Sequence, residues 1–74
     1  MSEIVKEVTI FVNCTSCDID FINKIIEGYE GIALVSTVNS SKALLKIQTS
    51  TDLVEEVIVV LKSIPRELTI TQII

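Results

Sequence analysis

Apolar and polar residues alternate from near the start of the chain. Over residues 4–12, Val8, Ile10 and Val12 fall on one side of an extended chain and Thr9 and Phe11 on the other, and a period of two predicts a strand. Asn13-Cys14-Thr15-Ser16 breaks that run, and the period then changes. Ile19, Ile22, Ile25 and Ile26, with Phe21 alongside, recur at spacings of three and four, the apolar stripe of a helix. Asp18, Asp20, Asn23, Lys24 and Glu27 take its wet side. Thr15-x-x-Asp18 has the spacing of a capping box, with Asp in place of the usual Glu, and Gly28 and Gly31 bracket the helix exit. Residues 32–38 read as a second strand whose inward face the pattern leaves open. After an Asn39-Ser40-Ser41 turn, residues 42–49 form a third strand, with Ala43, Leu45 and Ile47 on one face and Leu44, Lys46 and Gln48 on the other. So short a turn makes the two strands an antiparallel hairpin. Asp52-x-x-Glu55 resembles a second capping box, and Leu53, Val54, Val57, Ile58, Leu61 and Ile64 give a second helical stripe that Pro65 ends. Residues 67–73 alternate once more, Leu68 and Ile70 against Thr69 and Thr71.

The predicted order is strand, helix, strand, strand, helix, strand, in one domain spanning residues 1–74. This is the split βαβ, ferredoxin-like pattern: an α+β sandwich with a four-stranded antiparallel sheet and two helices on one face. Right-handed crossovers set the spatial strand order four, one, three, two. If Val8, Ile10, Val12, Ala43, Leu45 and Ile47 face the helices, then Thr9, Phe11, Leu44, Lys46, Gln48, Thr69, Thr71 and Ile73 face away. Phe11, Leu44 and Ile73 leave that open face partly apolar, and such patches mark partner surfaces. A homodimer through the open face or an edge strand is expected, or contact with a different protein. A core of this size contributes only about 3–5 kcal/mol net, so a dimer or a metal would matter to it.

Composition narrows the function. The 74 residues are 49% hydrophobic, and 22 of them are Ile or Val, which excludes a disordered tail. Six basic residues against ten acidic give a net charge of −4, which argues against nucleic-acid binding. With no His, the commonest general base and metal imidazole is missing, and no Ser, Lys or carboxylate set suggests a catalytic group. With two Gly there is no phosphate-cradling loop. The sequence therefore predicts a protein that is not an enzyme. The first residues show no secretory signal, and the longest apolar run, Val57–Leu61, is far short of the roughly 20 residues of a membrane-spanning helix. A soluble, cytoplasmic chain with no membrane contact is expected. Asp18 and Asp20 read as a cap and a solvated face, Glu55-Glu56 likewise, and Phe21 and Tyr29 as packing residues.

The chemistry-bearing feature is Cys14-Thr15-Ser16-Cys17, a CxxC between the first strand and the first helix. In a reducing compartment such a pair reads as reactive or metal-binding rather than as a staple. Two intervening residues let both sulfurs reach one soft cation, Cu(I) or Zn(II). Cys17, expected in the first helical turn, would be the more reactive thiol because unpaired N–H groups there favour a thiolate. Arg66, in the junction before the last strand, would offset the charge of a bis-thiolate site. Two other readings stay open: inert or merely oxidisable thiols, and dithiol redox catalysis. The single Pro65 gives little support to the last.

Element order, CxxC in the first loop, Gly31-Ile32 at the start of the second strand and a second helix ending near residue 64 together resemble the heavy-metal-associated domain of copper chaperones and metal-pumping ATPases. The resemblance implies a metal on Cys14 and Cys17. This chain departs from that family in holding Phe11 and Val12 where a Gly-Met usually precedes the motif, and Pro65-Arg66 where a Gly-Lys is common. Residues 19–64, from Ile19-Asp20-Phe21 through Tyr29-Glu30-Gly31-Ile32-Ala33-Leu34-Val35, also resemble a small bacterial domain family of unknown function. That second likeness implies an interaction or regulatory domain whose thiols are incidental.

Overall fold

The computed structural model describes residues 5–29 and 31–74. Its elements are β1 (Glu7–Cys14), a 3-10 turn (Ser16–Asp18), α1 (Ile19–Gly28), β2 (Leu34–Asn39), β3 (Leu44–Ser50), α2 (Val54–Ser63) and β4 (Leu68–Ile73). The four strands form one antiparallel sheet in the order β2-β3-β1-β4. The fold is the expected α+β, ferredoxin-like arrangement. The part of the predicted first strand at Ile4 lies outside the described residues.

The alternation in the middle strands explains the core. Ile10 faces Ile47 across the β1–β3 ladder and Val12 faces Leu45, and all four side chains are buried. They pack with Ile22 and Ile26 of α1 and with Val57, Val60 and Leu61 of α2. Val60 lies outside the expected stripe, whereas its neighbour Val59 is exposed. The ladder also settles the face of β2. Val35 and Thr37 stand opposite Ile47 and Leu45 on the helix side, and Leu34 and Ser36 opposite Gln48 and Lys46 on the open side.

Turn geometry moves several boundaries. Gly31 adopts φ +79°, a conformation glycine takes without the clash a side chain would add, and the N–H of Ile32 then donates to the Tyr29 carbonyl. Ile32 is buried as an anchor ahead of β2, which starts at Leu34 rather than at residue 32. Ala43 has φ +52°, so it belongs to the turn, and β3 starts at Leu44. Neither expected capping box forms. Thr15 makes no side-chain cap bond, and α1 is preceded by the 3-10 turn. Asp52 instead accepts a hydrogen bond from the Ser50 hydroxyl, and α2 begins after Leu53 with no side-chain cap.

One expectation about the open face is corrected. The β1–β4 register slips between Phe11 and Val12, where Thr71 is the extra residue. Beyond the slip, Gln72 faces Phe11 and Ile73 faces Ile10, so Ile73 stands on the helix side of the sheet. The open face keeps Phe11 and Leu44, both half-buried, and the exposed Leu34.

Candidate functional site

Cys14 continues the inward parity of Val8, Ile10 and Val12. It stands opposite Leu68 of β4 and packs against the margin of the core. Its N–H donates to the Ala43 carbonyl at 3.0 Å, and its thiol points at the same oxygen at 3.6 Å. The left-handed turn at Ala43 is therefore tied to the end of β1 through one carbonyl. Burial, then the charge of Asp18, then Cys17, push the Cys14 thiol above its ordinary value. Cys17 is exposed, in the 3-10 turn rather than in the first turn of α1. Both cysteines are free thiols.

The junction between α2 and β4 does lie beside this loop. A cleft of about 190 Å³ is lined by Asn13, Cys14 and Thr15 on one side and Glu67, Leu68 and Thr69 on the other. Arg66 reaches over as well, but to a different partner than expected. Its Nε donates to Asp18 Oδ1 at 3.2 Å, and its guanidinium lies 4.4 Å from the centre of the Phe21 ring. Asp18 is thus an ion-pair partner rather than a helix cap, and Phe21 is a platform for the cation. Among the described residues, no three His, Cys, Asp or Glu side chains cluster as a metal-binding group.

The same junction also borders a larger groove of about 420 Å³ between α2 and β4. Leu61, Ile64, Leu68 and Ile70 line it, and Lys62 and Arg66 bring two cations to it. No sequence motif marks this groove, because its residues are spread over a helix, a turn and a strand. The outer strands add further exposed apolar surface. Leu34 is 71% exposed, Val38 51% and Ile73 49%. No helix among the described residues is long and apolar enough to cross a membrane.

The family model described as Domain of unknown function (DUF4911) matches residues 14–68. The chain belongs to that family. The matched span starts at Cys14 and ends at Leu68, its partner across the sheet, and includes both cysteines, both helices and the groove-lining residues up to Leu68. It agrees with the second resemblance, to a small family of unknown function; nothing in the comparison supports a heavy-metal-associated domain. Neither the curated proteins nor the solved structures yield a match.

Proposed function

We propose that this chain is a non-catalytic, cytoplasmic interaction or regulatory domain whose working surface is the sheet margin rather than the thiol pair. One observation carries the reading: each outer strand, β2 at one edge of the sheet and β4 at the other, holds apolar side chains that the fold leaves out of its own core. Leu34, Val38 and Ile73 are all about half exposed or more, on strands that carry neither charge nor Pro to discourage a neighbour. Membership in a family of unknown function is compatible with this and adds no catalytic group.

The test is site-specific photo-crosslinking in the native cell. A benzophenone amino acid replaces Leu34, Val38 or Ile73 in turn, with Val59 on the outer side of α2 as the exposed apolar control. Discrete crosslinked species at the strand positions and none at Val59 are expected. Equal labelling at all four positions, or none at any, would remove the reading.

A second reading keeps Cys14 and Cys17 as ligands of Cu(I) or Zn(II). Both thiols are free, they lie within the family-matched span, and Cys14 faces a cleft. Titration of the reduced protein with Cu(I) against a competing chelator decides it. Binding no tighter than that of a Cys14→Ser, Cys17→Ser double variant would exclude this reading.

A further inference from the structure

We infer that the free edge of β4 receives an extended, acidic and apolar segment of a different protein, which adds as a fifth strand and fills the groove between β4 and α2. This deepens the interaction reading above and rests on it.

The backbone is available where the groove lies. The Cys14 N–H bonds to Ala43, the turn residue that leads into β3, so by antiparallel alternation Val12 and Cys14 direct their backbone groups to the β3 side, and Asn13 directs its own to Thr69 of β4. Leu68 and Ile70, which face Cys14 and Val12, then turn their N–H and C=O groups outward. These two residues also contribute side chains to the groove. An added strand would gain main-chain hydrogen bonds from this edge and drop every second side chain between Leu68, Ile70, Leu61 and Ile64.

Charge selects the occupant. In a chain of net charge −4, the groove carries two cations, Lys62 and Arg66. Among the described residues the one ion pair is Arg66–Asp18, and Lys62 pairs with no carboxylate among them. Arg66 uses Nε for Asp18 and Nη1 for the Pro65 carbonyl, and a guanidinium has five N–H donors in all. Glu67 lines the cleft beside Cys14 rather than the groove. A carboxylate at the Pro65 end of an added strand therefore meets positive charge.

A second copy of this chain fits less well. Its own edge strands, Leu34–Asn39 and Leu68–Ile73, contain no acidic residue. In an antiparallel β4–β4 pairing, Glu67 of the second copy would fall toward Ile73, away from Lys62 and Arg66. The other edge is also less suited to an acidic guest. The cavity of about 300 Å³ beside β2 joins apolar residues, Ile32, Ala33, Leu34 and Leu53, to Glu7, Gln48, Thr49 and Ser50, and no cation lines it.

The experiment uses the full chain, labelled with nitrogen-15, and three octapeptides. The first is Ser-Glu-Thr-Val-Thr-Val-Thr-Glu, with valines and glutamates on one strand face. The second has Lys for Glu, and the third is the acidic peptide N-methylated at alternate amides so that one backbone edge is blocked. Saturable shifts centred on the Leu68 and Ile70 amides are expected with the first peptide. Affinity should fall at least tenfold with the Lys peptide and with the N-methylated one. Lys62→Glu should weaken the acidic peptide and strengthen the Lys peptide; Lys62 is exposed and outside the Asp18 pair, so this variant keeps the fold. Equal affinity for both charges, shifts confined to β2, or no binding at millimolar peptide would overturn the inference. So would a dimer in sedimentation equilibrium whose free state already protects the Leu68 and Ile70 amides, since a second copy would then hold the edge. Crosslinks at Leu34, Val38 and Ile73 together with a negative titration would leave the interaction reading standing and remove this partner alone. Loss of both signals would remove both.

Discussion

The two middle strands and the two outer strands of this sheet are built from the same β-branched and aliphatic residues, yet they use them differently. In β1 and β3 every second apolar side chain is sealed against α1 and α2; Ile10, Val12, Leu45 and Ile47 have no exposed surface. In β2 and β4 comparable residues remain in contact with solvent, Leu34 and Ile73 among them. The cause is coverage. Leu34 stands on the open face, which neither helix covers, and Ile73 lies near the end of β4, beyond the register slip. An apolar residue in the middle therefore stabilises the fold, and one at the margin is left for contact with something else.

The largest expected effect breaks the middle. Ile10→Ala or Leu45→Ala removes a fully buried side chain and should cost about 2–5 kcal/mol, comparable to the whole stability of so small a domain. Loss of the cooperative denaturant transition would be the readout. Ile10→Val deletes one methylene and should cost about 0.5–1.5 kcal/mol, leaving a measurable midpoint. If Ile10→Ala unfolded no more readily than a margin variant, the contrast between strands would fail.

Next comes the turn that delivers the chain to β2. Gly31→Ala puts a side chain at φ +79° with no steric neighbour, so the cost is backbone strain alone, about 1 kcal/mol. Gly28→Ala, in the last turn of α1 and also in open space, should not share that penalty. Urea midpoints of the two variants isolate the conformational term.

Cys14 sits where the two classes of strand meet, and pH probes it. Its thiol is pushed above the usual value near 9, first by burial, so the folded chain prefers the neutral form. A raised folded pKa gives stability that is complete below the unfolded value and is lost as pH rises through the folded value. Stability should therefore fall above about pH 9 and fall less in Cys14→Ser, as followed by urea melts from pH 7 to 10.5. Alkylation at pH 8 should be slower at Cys14 than at the exposed Cys17 when each is the sole thiol. Faster modification at Cys14 would contradict the burial account.

The smallest effect is expected at the margin itself. Leu34→Lys and Ile73→Lys should each shift stability by no more than about 0.5 kcal/mol. A loss above 2 kcal/mol in either would mean that the margin belongs to the core.

Much of the architecture was legible because the middle strands repeat a strict period of two and the helices keep three-and-four spacings. The same parity, extended one step past Val12, would have placed Cys14 at the core margin. Other features depend on contacts that no local pattern encodes. Nothing in Thr69-Ile70-Thr71-Gln72-Ile73 reveals the slip that returns Ile73 to the helix side. Thr15 and Asp52 have the residue types and spacings of caps, yet a 3-10 turn and a Ser50–Asp52 hydrogen bond take their places. Arg66 has the charge and the place in the chain of a counter-ion for thiolates, but Asp18 and the Phe21 ring hold it. The groove between α2 and β4 exists only once the two elements pack.

The central claim is that the sheet margin works independently of the thiols. The most direct measurement repeats the Leu34 and Ile73 photo-crosslinking in a Cys14→Ser, Cys17→Ser background, at matched expression and stability. The same crosslinked species in the same yield are predicted. Disappearance of those species in the thiol-free chain would contradict the account and return the function to Cys14 and Cys17.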